Sequence, residues 1–260
     1  MRDKQSKNLT FKLPQVGKVL LVAVIYLILW EALVRILNLP VFFPSPLRVL
    51  EVFLQLPSES GFLQRIFSST ANVWLGFSIS LTLALLLFES VARFPNFKLL
   101  LQPLLSVLKS VPMISFIILL SAAFSSRSIS PAVVFIVTFP LFLESLVSAR
   151  LNEDPQLREL ANLFQLESGN YRRYILLPQI LPVLRTSSKT AMGMAWKAGV
   201  AAEVLVLIGS CIGEKLYESK IYLEISQLLA WTILIILLSL LSEKILDILF
   251  SLAEDQLCKI

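Results

Sequence analysis

Six continuous apolar runs limit what this chain can fold into. They lie at residues 19–37, 71–91, 99–124, 131–149, 187–209 and 228–250. A helix crosses the hydrocarbon core of a bilayer with about 20 mostly apolar residues. The runs are rich in leucine and isoleucine, and they lack the alternation of polar and apolar residues that marks the strands of a membrane barrel. The sequence therefore predicts an all-α, polytopic membrane protein with six transmembrane helices.

The composition agrees with a membrane protein and excludes several classes of function. Of the 260 residues, 56% are hydrophobic and 16% are charged, and the mean hydropathy is +0.78. The chain has no histidine, and Cys211 and Cys258 stand alone without metal-ligand spacing, so we expect no metal site and no cofactor. The net charge of +5 comes from short basic clusters at the ends of apolar runs. Such clusters indicate membrane orientation, and we expect no nucleic-acid partner.

The distribution of basic residues predicts the orientation of the chain. With the N-terminus inside, thirteen of the 23 lysines and arginines fall in cytoplasmic segments, five fall outside and five within the runs. The positive-inside rule then places both termini in the cytoplasm. The first run follows basic residues, as in a signal peptide, but no small-residue cleavage site comes after it, so we retain it as a span. The predicted organisation is a cytoplasmic segment at 1–18, a six-span transmembrane domain at 19–250 and a cytoplasmic tail at 251–260.

Residues 150–186 form a polar insert between the fourth and fifth runs, on the predicted cytoplasmic side. Asp154 is a suitable N-cap, and Pro155 fits the first position of a helix. Apolar residues then recur at helical spacing, at Leu157, Leu160, Ala161 and Phe164. This pattern predicts a short amphipathic helix outside the membrane. Its apolar stripe packs on the protein's own helix ends, on lipid headgroups or on a partner.

The insert also carries a known pattern. Its segment "ELA" at 159–161 is followed by three residues, a single position at Gln165, nine residues and then "ILLP" at 175–178. This spacing resembles the EAA loop of membrane-spanning subunits in bacterial ATP-binding-cassette (ABC) importers, which reads E-A-A, three residues, Gly, nine residues, I-x-L-P. The segments "FPSPLRVL" at 43–50, "LQPLLSVLKSVPMISF" at 101–116 and "GMAWKAGVAAEVL" at 193–205 resemble the nitrate/sulfonate/taurine branch of that family. The resemblance covers most of the chain in order.

This resemblance implies a fold, partners and site residues. The fold is the type I ABC importer (MetI-like) permease fold, in the bacterial cytoplasmic (inner) membrane and embedded in its lipid. Implied partners are a second copy in a homodimer, a cytoplasmic ATPase subunit that receives the EAA helix, and an extracytoplasmic solute-binding protein. The implied ATPase-coupling residues are Glu159, Leu160, Ala161, Phe164, Gln165, Gly169, Ile175, Leu177 and Pro178.

Two positions depart from the motif. Leu160 replaces its middle alanine, which is a mild change on an apolar face. Gln165 replaces its glycine, and a left-handed backbone there costs a non-glycine residue about 1 kcal/mol or more. We therefore expect the helix that starts near Pro155 to continue past Gln165 and to turn at Gly169.

Charged residues within the runs are candidates for a translocation path. Lys197 and Glu203 lie six residues apart, about 240° around a helix, so each needs a partner other than its neighbour. Two interpretations remain open for both: an interhelical polar seam, or contact with solute. Lys109 precedes Pro112, which predicts a kink, and Lys109 is placed to line a polar vestibule.

The other charged residues in the runs suggest simpler roles. Glu31 and Arg35 are spaced for a local ion pair. Lys244, beside Glu243 and Asp247, is expected to extend to the membrane surface, and so are Glu89 and Glu144, which we give no role. Small residues at helical spacing predict close helix packing, at Ala191, Ala195, Ala198 and Ala202.

Two other classes of function are weighed against a permease. An intramembrane enzyme needs convergent nucleophiles, metal ligands or paired carboxylates, and the chain has neither HExxH nor a GxSG-type serine. A channel or a transporter driven by an ion gradient uses broken helices and inverted repeats, and no matching halves are visible. No GxxxxGK[ST] sequence is present, so ATP hydrolysis is expected on a separate chain. We predict a non-enzymatic permease that conducts a small anionic or heterocyclic solute inward.

Overall fold

The computed structural model describes residues 15–37 and 43–258, and within these ranges the fold is all-α, as predicted. The predicted segment 1–18 therefore lies mostly outside the described residues. The described residues include a short 3₁₀ turn, Leu56–Ser58, and a π-helical turn, Arg172–Leu176. The helices are α1 (Gln15–Leu37), α2 (Pro46–Gln55), α3 (Phe62–Arg93), α4 (Pro95–Ser110), α5 (Met113–Ala123), α6 (Ser126–Leu151), α7 (Pro155–Leu163), α8 (Ser168–Tyr171), α9 (Leu177–Val206), α10 (Ile212–Ile221) and α11 (Ile225–Cys258).

The core is built from α3, α6 and α9, which pack side by side, with α11 against α9 and α2. Small residues allow these helices to approach closely. A side chain on Gly76 would lie 2.4 Å from the carbonyl oxygen of Pro131, and one on Gly199 would lie 2.9 Å from Val73. The alanine stripe of α9 is buried throughout, which confirms its predicted packing role.

The third apolar run, residues 99–124, is broken into two helices at Pro112, where the sequence predicted only a kink. Helices α4 and α5 meet at 102°. Val111 between them takes an extended conformation, with φ −73° and ψ 130°. The residue before a proline is disfavoured in a helix, and Pro112 has no N–H to continue the helical ladder. The two effects together end α4 and start a new helix.

Length and apolar composition identify membrane spans directly in only part of the bundle. Within the described residues α3 and α6 qualify, and the bent pair α4 and α5 would make a third span. The six-span count therefore stays a prediction. Helix α11 continues past residue 250, the predicted end of the sixth span, as far as Cys258.

Candidate functional site

Helix α7 is the predicted amphipathic helix, and its start is as expected. The Asp154 carboxylate accepts a hydrogen bond of 2.9 Å from the Gln156 amide, and Pro155 takes the first helical position. Leu160 and Phe164 are 47% and 70% exposed, and Leu163 beside them is exposed as well. Ala161, in contrast, is buried. The outward apolar face is therefore Leu160, Leu163 and Phe164, and Ala161 does not belong to it.

Of the remaining predicted coupling residues, one is half-buried and five are exposed. Ile175 lies half-buried in the π-helical turn that leads to α9. The exposed ones are Glu159, Gln165, Gly169, Leu177 and Pro178.

The predicted turn at Gly169 is wrong. Helix α7 ends at Leu163, and Gln165 has φ 49°, the left-handed conformation that the motif's glycine would adopt. The Leu166 amide donates to the Ala161 carbonyl at 3.0 Å, and the Gln165 amide donates to the Asn162 carbonyl at 3.1 Å. These bonds form a Schellman cap, which outweighs the cost of a left-handed glutamine. Gly169 instead lies inside α8. The spacing of the motif itself was the signal for the turn.

A polar network holds the insert against the helices of the core. Arg150, at the end of α6, donates to Glu89 of α3 at 3.2 Å and also to Glu153. The Tyr171 hydroxyl donates to the other oxygen of Glu153, which is nearly buried. Burial, reinforced by this hydrogen bond to a carboxylate, raises the pKa of Tyr171. The Asp154 amide donates to Gln179 of α9 at 3.0 Å.

This network joins the start of α7 to α3, α6 and α9 at once. Glu89 therefore has a structural partner, and leaving it without a role was wrong. Sequence reasoning missed Glu153 and Tyr171 because no periodicity or spacing connects them. Their contact exists only where the insert folds back on α6.

Glu203 lies at the other end of α9 and is fully buried. Its carboxylate accepts hydrogen bonds from the Ser69 hydroxyl at 2.7 Å, the Asn72 side chain at 3.2 Å and the Gly213 amide at 3.3 Å. The Ser69 hydroxyl in turn accepts from the Ile212 amide at 2.8 Å. Glu203 thus joins α9 to α3 and to the start of α10. Of the two interpretations left open for Glu203, its contacts match the interhelical polar seam.

Lys197 does not meet Glu203, as its position on the helix predicted. It is exposed on a face of α9 that also presents Thr186, Thr190 and Met194. No carboxylate among residues 15–37 and 43–258 lies within ion-pair distance of it. Lys197 is therefore available to a second chain or to solute.

Lys109 is paired with Glu144 of α6, with nitrogen–oxygen distances of 2.7 and 3.0 Å. The pair lies beside the break at Pro112, and both side chains are about half exposed. It borders a groove of 370 Å³ between α4 and α6, whose polar lining includes Gln102, Ser106, Ser148 and Asn152. Leaving Glu144 without a role was therefore also wrong.

The other predicted charges behave in two ways. Glu31 and Arg35 form the expected ion pair at 2.9 Å. Asp247 pairs across helices with Arg185 and Lys189 of α9, at 2.5 and 2.7 Å, instead of remaining local to Lys244.

The helical core with one broken span, and the capped helix mounted on it by a partly buried network, match a membrane-spanning transport subunit. The chain belongs to the family of binding-protein-dependent transport system inner membrane components, whose sequence pattern matches residues 76–255. It is a multi-pass permease subunit of an ABC importer, and this decides against the ion-gradient alternative.

Individual relatives agree with that family. The chain is similar to the nitrate import permease protein NrtB of Synechocystis sp., with 26% identity over 97% of this chain and 95% of the relative. It is similar to the taurine transport system permease protein TauC of Escherichia coli, with 23% identity over 70% and 69%. It is also similar to the bicarbonate transport system permease protein CmpB of Synechococcus elongatus, with 23% identity over 57% and 54%.

Proposed function

We propose that this permease carries a small anion, or a solute with an anionic group, and that α7 couples it to a separate ATPase subunit. The observation that carries the coupling proposal is the outward apolar face of Leu160, Leu163 and Phe164. An apolar face on a short polar insert needs a covering surface, and a groove on a partner protein supplies one. The network around Glu153 makes α7 a rigid extension of the core, so a push on α7 reaches the spans.

The other parts of the proposal rest on family membership, on the distribution of basic residues and on the exposed charge of α9. The permease works as a homodimer with an extracytoplasmic binding protein, and both of its termini are cytoplasmic. Residues 19–250 are the transmembrane domain, and 150–186 are the cytoplasmic coupling loop. Two copies bring their exposed α9 faces toward a shared path, where Lys197 meets the solute.

The anionic class of solute is supported by two observations. Two of the three relatives are named for the anions nitrate and bicarbonate, and the third is named for taurine. Lys197 supplies positive charge on the exposed face of α9, whereas the charge of Lys109 is compensated by Glu144. A cation in a path of low dielectric attracts an anion more strongly than it would in water.

Phe164→Asp tests the coupling face. Docking would bury an unpaired carboxylate, which costs several kcal/mol. A cost on the order of 3 kcal/mol weakens the affinity for the ATPase about a hundredfold or more, so far less ATPase should copurify. Asn162→Asp is the matched control, because it adds the same charge at an exposed position of the same helix. Normal copurification and normal uptake by Phe164→Asp would remove α7 as the docking face.

Lys197→Met tests the solute path. If Lys197 attracts an anion, the concentration for half-maximal uptake should rise about tenfold while the folded amount in membranes stays unchanged. Lys244→Met, at an exposed lysine of α11, is the control. A drop in folded amount would instead identify Lys197 as half of an ion pair with the second copy, because breaking a buried pair strands its carboxylate. Wild-type behaviour in both assays would exclude both roles.

A further inference from the structure

A basic cavity of 430 Å³ opens where α3 and α6 end next to α7. Three guanidinium groups and one carboxylate line it, together with only two apolar side chains. The lining residues are Glu89, Ala92, Arg93, Arg150, Leu151 and Arg158. Glu89 and Arg150 also belong to the network that mounts α7, but the coupling proposal does not use the side chains of Arg93 and Arg158.

The charges of this cavity are not balanced within the described part of the chain. Arg150 is engaged by Glu89 and Glu153. Arg93 and Arg158 have no carboxylate within 4.0 Å among residues 15–37 and 43–258. Two guanidinium groups therefore remain free to bind an anion.

The surroundings of the cavity indicate which anion. Phe94 and Leu151, at the ends of α3 and α6, are 55% and 54% exposed, and Leu99 and Leu100 in the first turns of α4 are exposed as well. Helices α3 and α6 are long and apolar enough to cross a membrane, so the cations at their ends lie near headgroup depth on the predicted cytoplasmic side. Basic pockets between transmembrane helices at this depth bind anionic headgroups.

We propose that the cavity binds the phosphate of an anionic phospholipid. Arg93 and Arg158 hold the phosphate oxygens, because the planar guanidinium matches phosphate geometry with paired N–H groups. Arg150 contributes positive field while its own hydrogen bonds stay with Glu89 and Glu153. The bound lipid would lie directly against the network that mounts α7. This inference goes beyond the proposed coupling, and it does not require that α7 docks an ATPase.

The test measures lipid binding to the purified full-length permease in detergent by native mass spectrometry. The probes are phosphatidylglycerol and phosphatidylcholine with identical acyl chains. Wild type should bind phosphatidylglycerol more tightly, and Arg93→Gln combined with Arg158→Gln should weaken that binding roughly 10- to 30-fold. The control combines Arg172→Gln with Arg173→Gln, which removes the same charge from exposed positions of the insert outside the cavity. The control should bind phosphatidylglycerol as wild type does.

Four outcomes would overturn the proposal. The first is equal binding of the two lipids by wild type, and the second is a cavity variant that binds both its lipid and the ATPase as wild type does. The third is displacement of phosphatidylglycerol by millimolar inorganic phosphate, which would make this a site for a free anion. The fourth is a cavity variant that keeps its lipid but loses the ATPase, which would make Arg93 and Arg158 protein contacts. Because the lipid assay uses the permease alone and Phe164→Asp tests docking, failure of one proposal is distinguishable from failure of the other.

Discussion

Replacing Glu203 tests whether its buried carboxylate holds one end of the bundle together. In Glu203→Ala the Ser69 hydroxyl and the Gly213 amide lose their acceptor. Both residues are buried, and each stranded donor costs about 1–3 kcal/mol. The expected loss of stability is therefore about 2–6 kcal/mol. Asn72 adds little, because it is only partly buried and also lies 3.7 Å from the Cys211 sulfur.

Glu203→Gln separates the hydrogen bonds from the charge. The carbonyl oxygen of the new glutamine can accept hydrogen bonds from Ser69 and Gly213. Its NH₂ group can donate to Asn72 if the Asn72 amide flips so that its oxygen faces the glutamine. The expected loss of stability is about 1 kcal/mol.

Gly213→Ala perturbs the same contact from the side of α10, since its new Cβ would lie 2.3 Å from the Cβ of Glu203. Overpacking of this kind typically costs about 1–3 kcal/mol.

The measurement is thermal unfolding of each purified variant in one detergent, followed by tryptophan fluorescence. Glu51→Ala is the control, because Glu51 forms an exposed ion pair with Arg48 that contributes at most about 1 kcal/mol. Glu203→Ala should melt well below the control, and Glu203→Gln should melt near wild type. If Glu203→Ala and Glu51→Ala melt together, the polar seam does not stabilise the fold, and the reasoning from buried hydrogen bonds fails.

Two further predictions concern the α7 turn and the broken span. Gln165→Gly should relieve the strain of the left-handed backbone and stabilise the end of α7 by about 1 kcal/mol. Slower amide hydrogen exchange at that end of the helix measures this effect. Gly169→Ala should be tolerated, because the new Cβ meets nothing within 4 Å. A large loss of stability in this variant would mean that the turn lies at Gly169 after all. Lys109→Met should change stability by no more than about 1 kcal/mol, since its pair with Glu144 is half exposed, yet should alter uptake if the groove belongs to the path. Unchanged uptake at all solute concentrations would remove Lys109 from the path.

The sequence by itself determined the features that depend on near neighbours. Apolar runs long enough to span a bilayer defined the fold class, because burying backbone polar groups in lipid forces each run into a helix. Asp154 and Pro155 marked the start of α7, since a capping bond joins residues only two positions apart. Glu31 and Arg35 paired within one turn for the same reason. The EAA spacing identified the family, which its pattern over residues 76–255 bears out.

The tertiary structure decided every contact that depends on how the helices pack. Periodicity placed Glu203 on one face of a helix, but only the packing of α3 and α10 supplied its three donors. Glu89 and Glu144 looked like charges that reach to the membrane surface until α6 brought Arg150 to one and α4 brought Lys109 to the other. The turn at Gln165 also went against intrinsic propensity, because two cap hydrogen bonds together outweigh the preference of one residue for negative φ. Such contacts join residues up to 168 positions apart, a separation at which the pattern of neighbouring residues carries no information about distance.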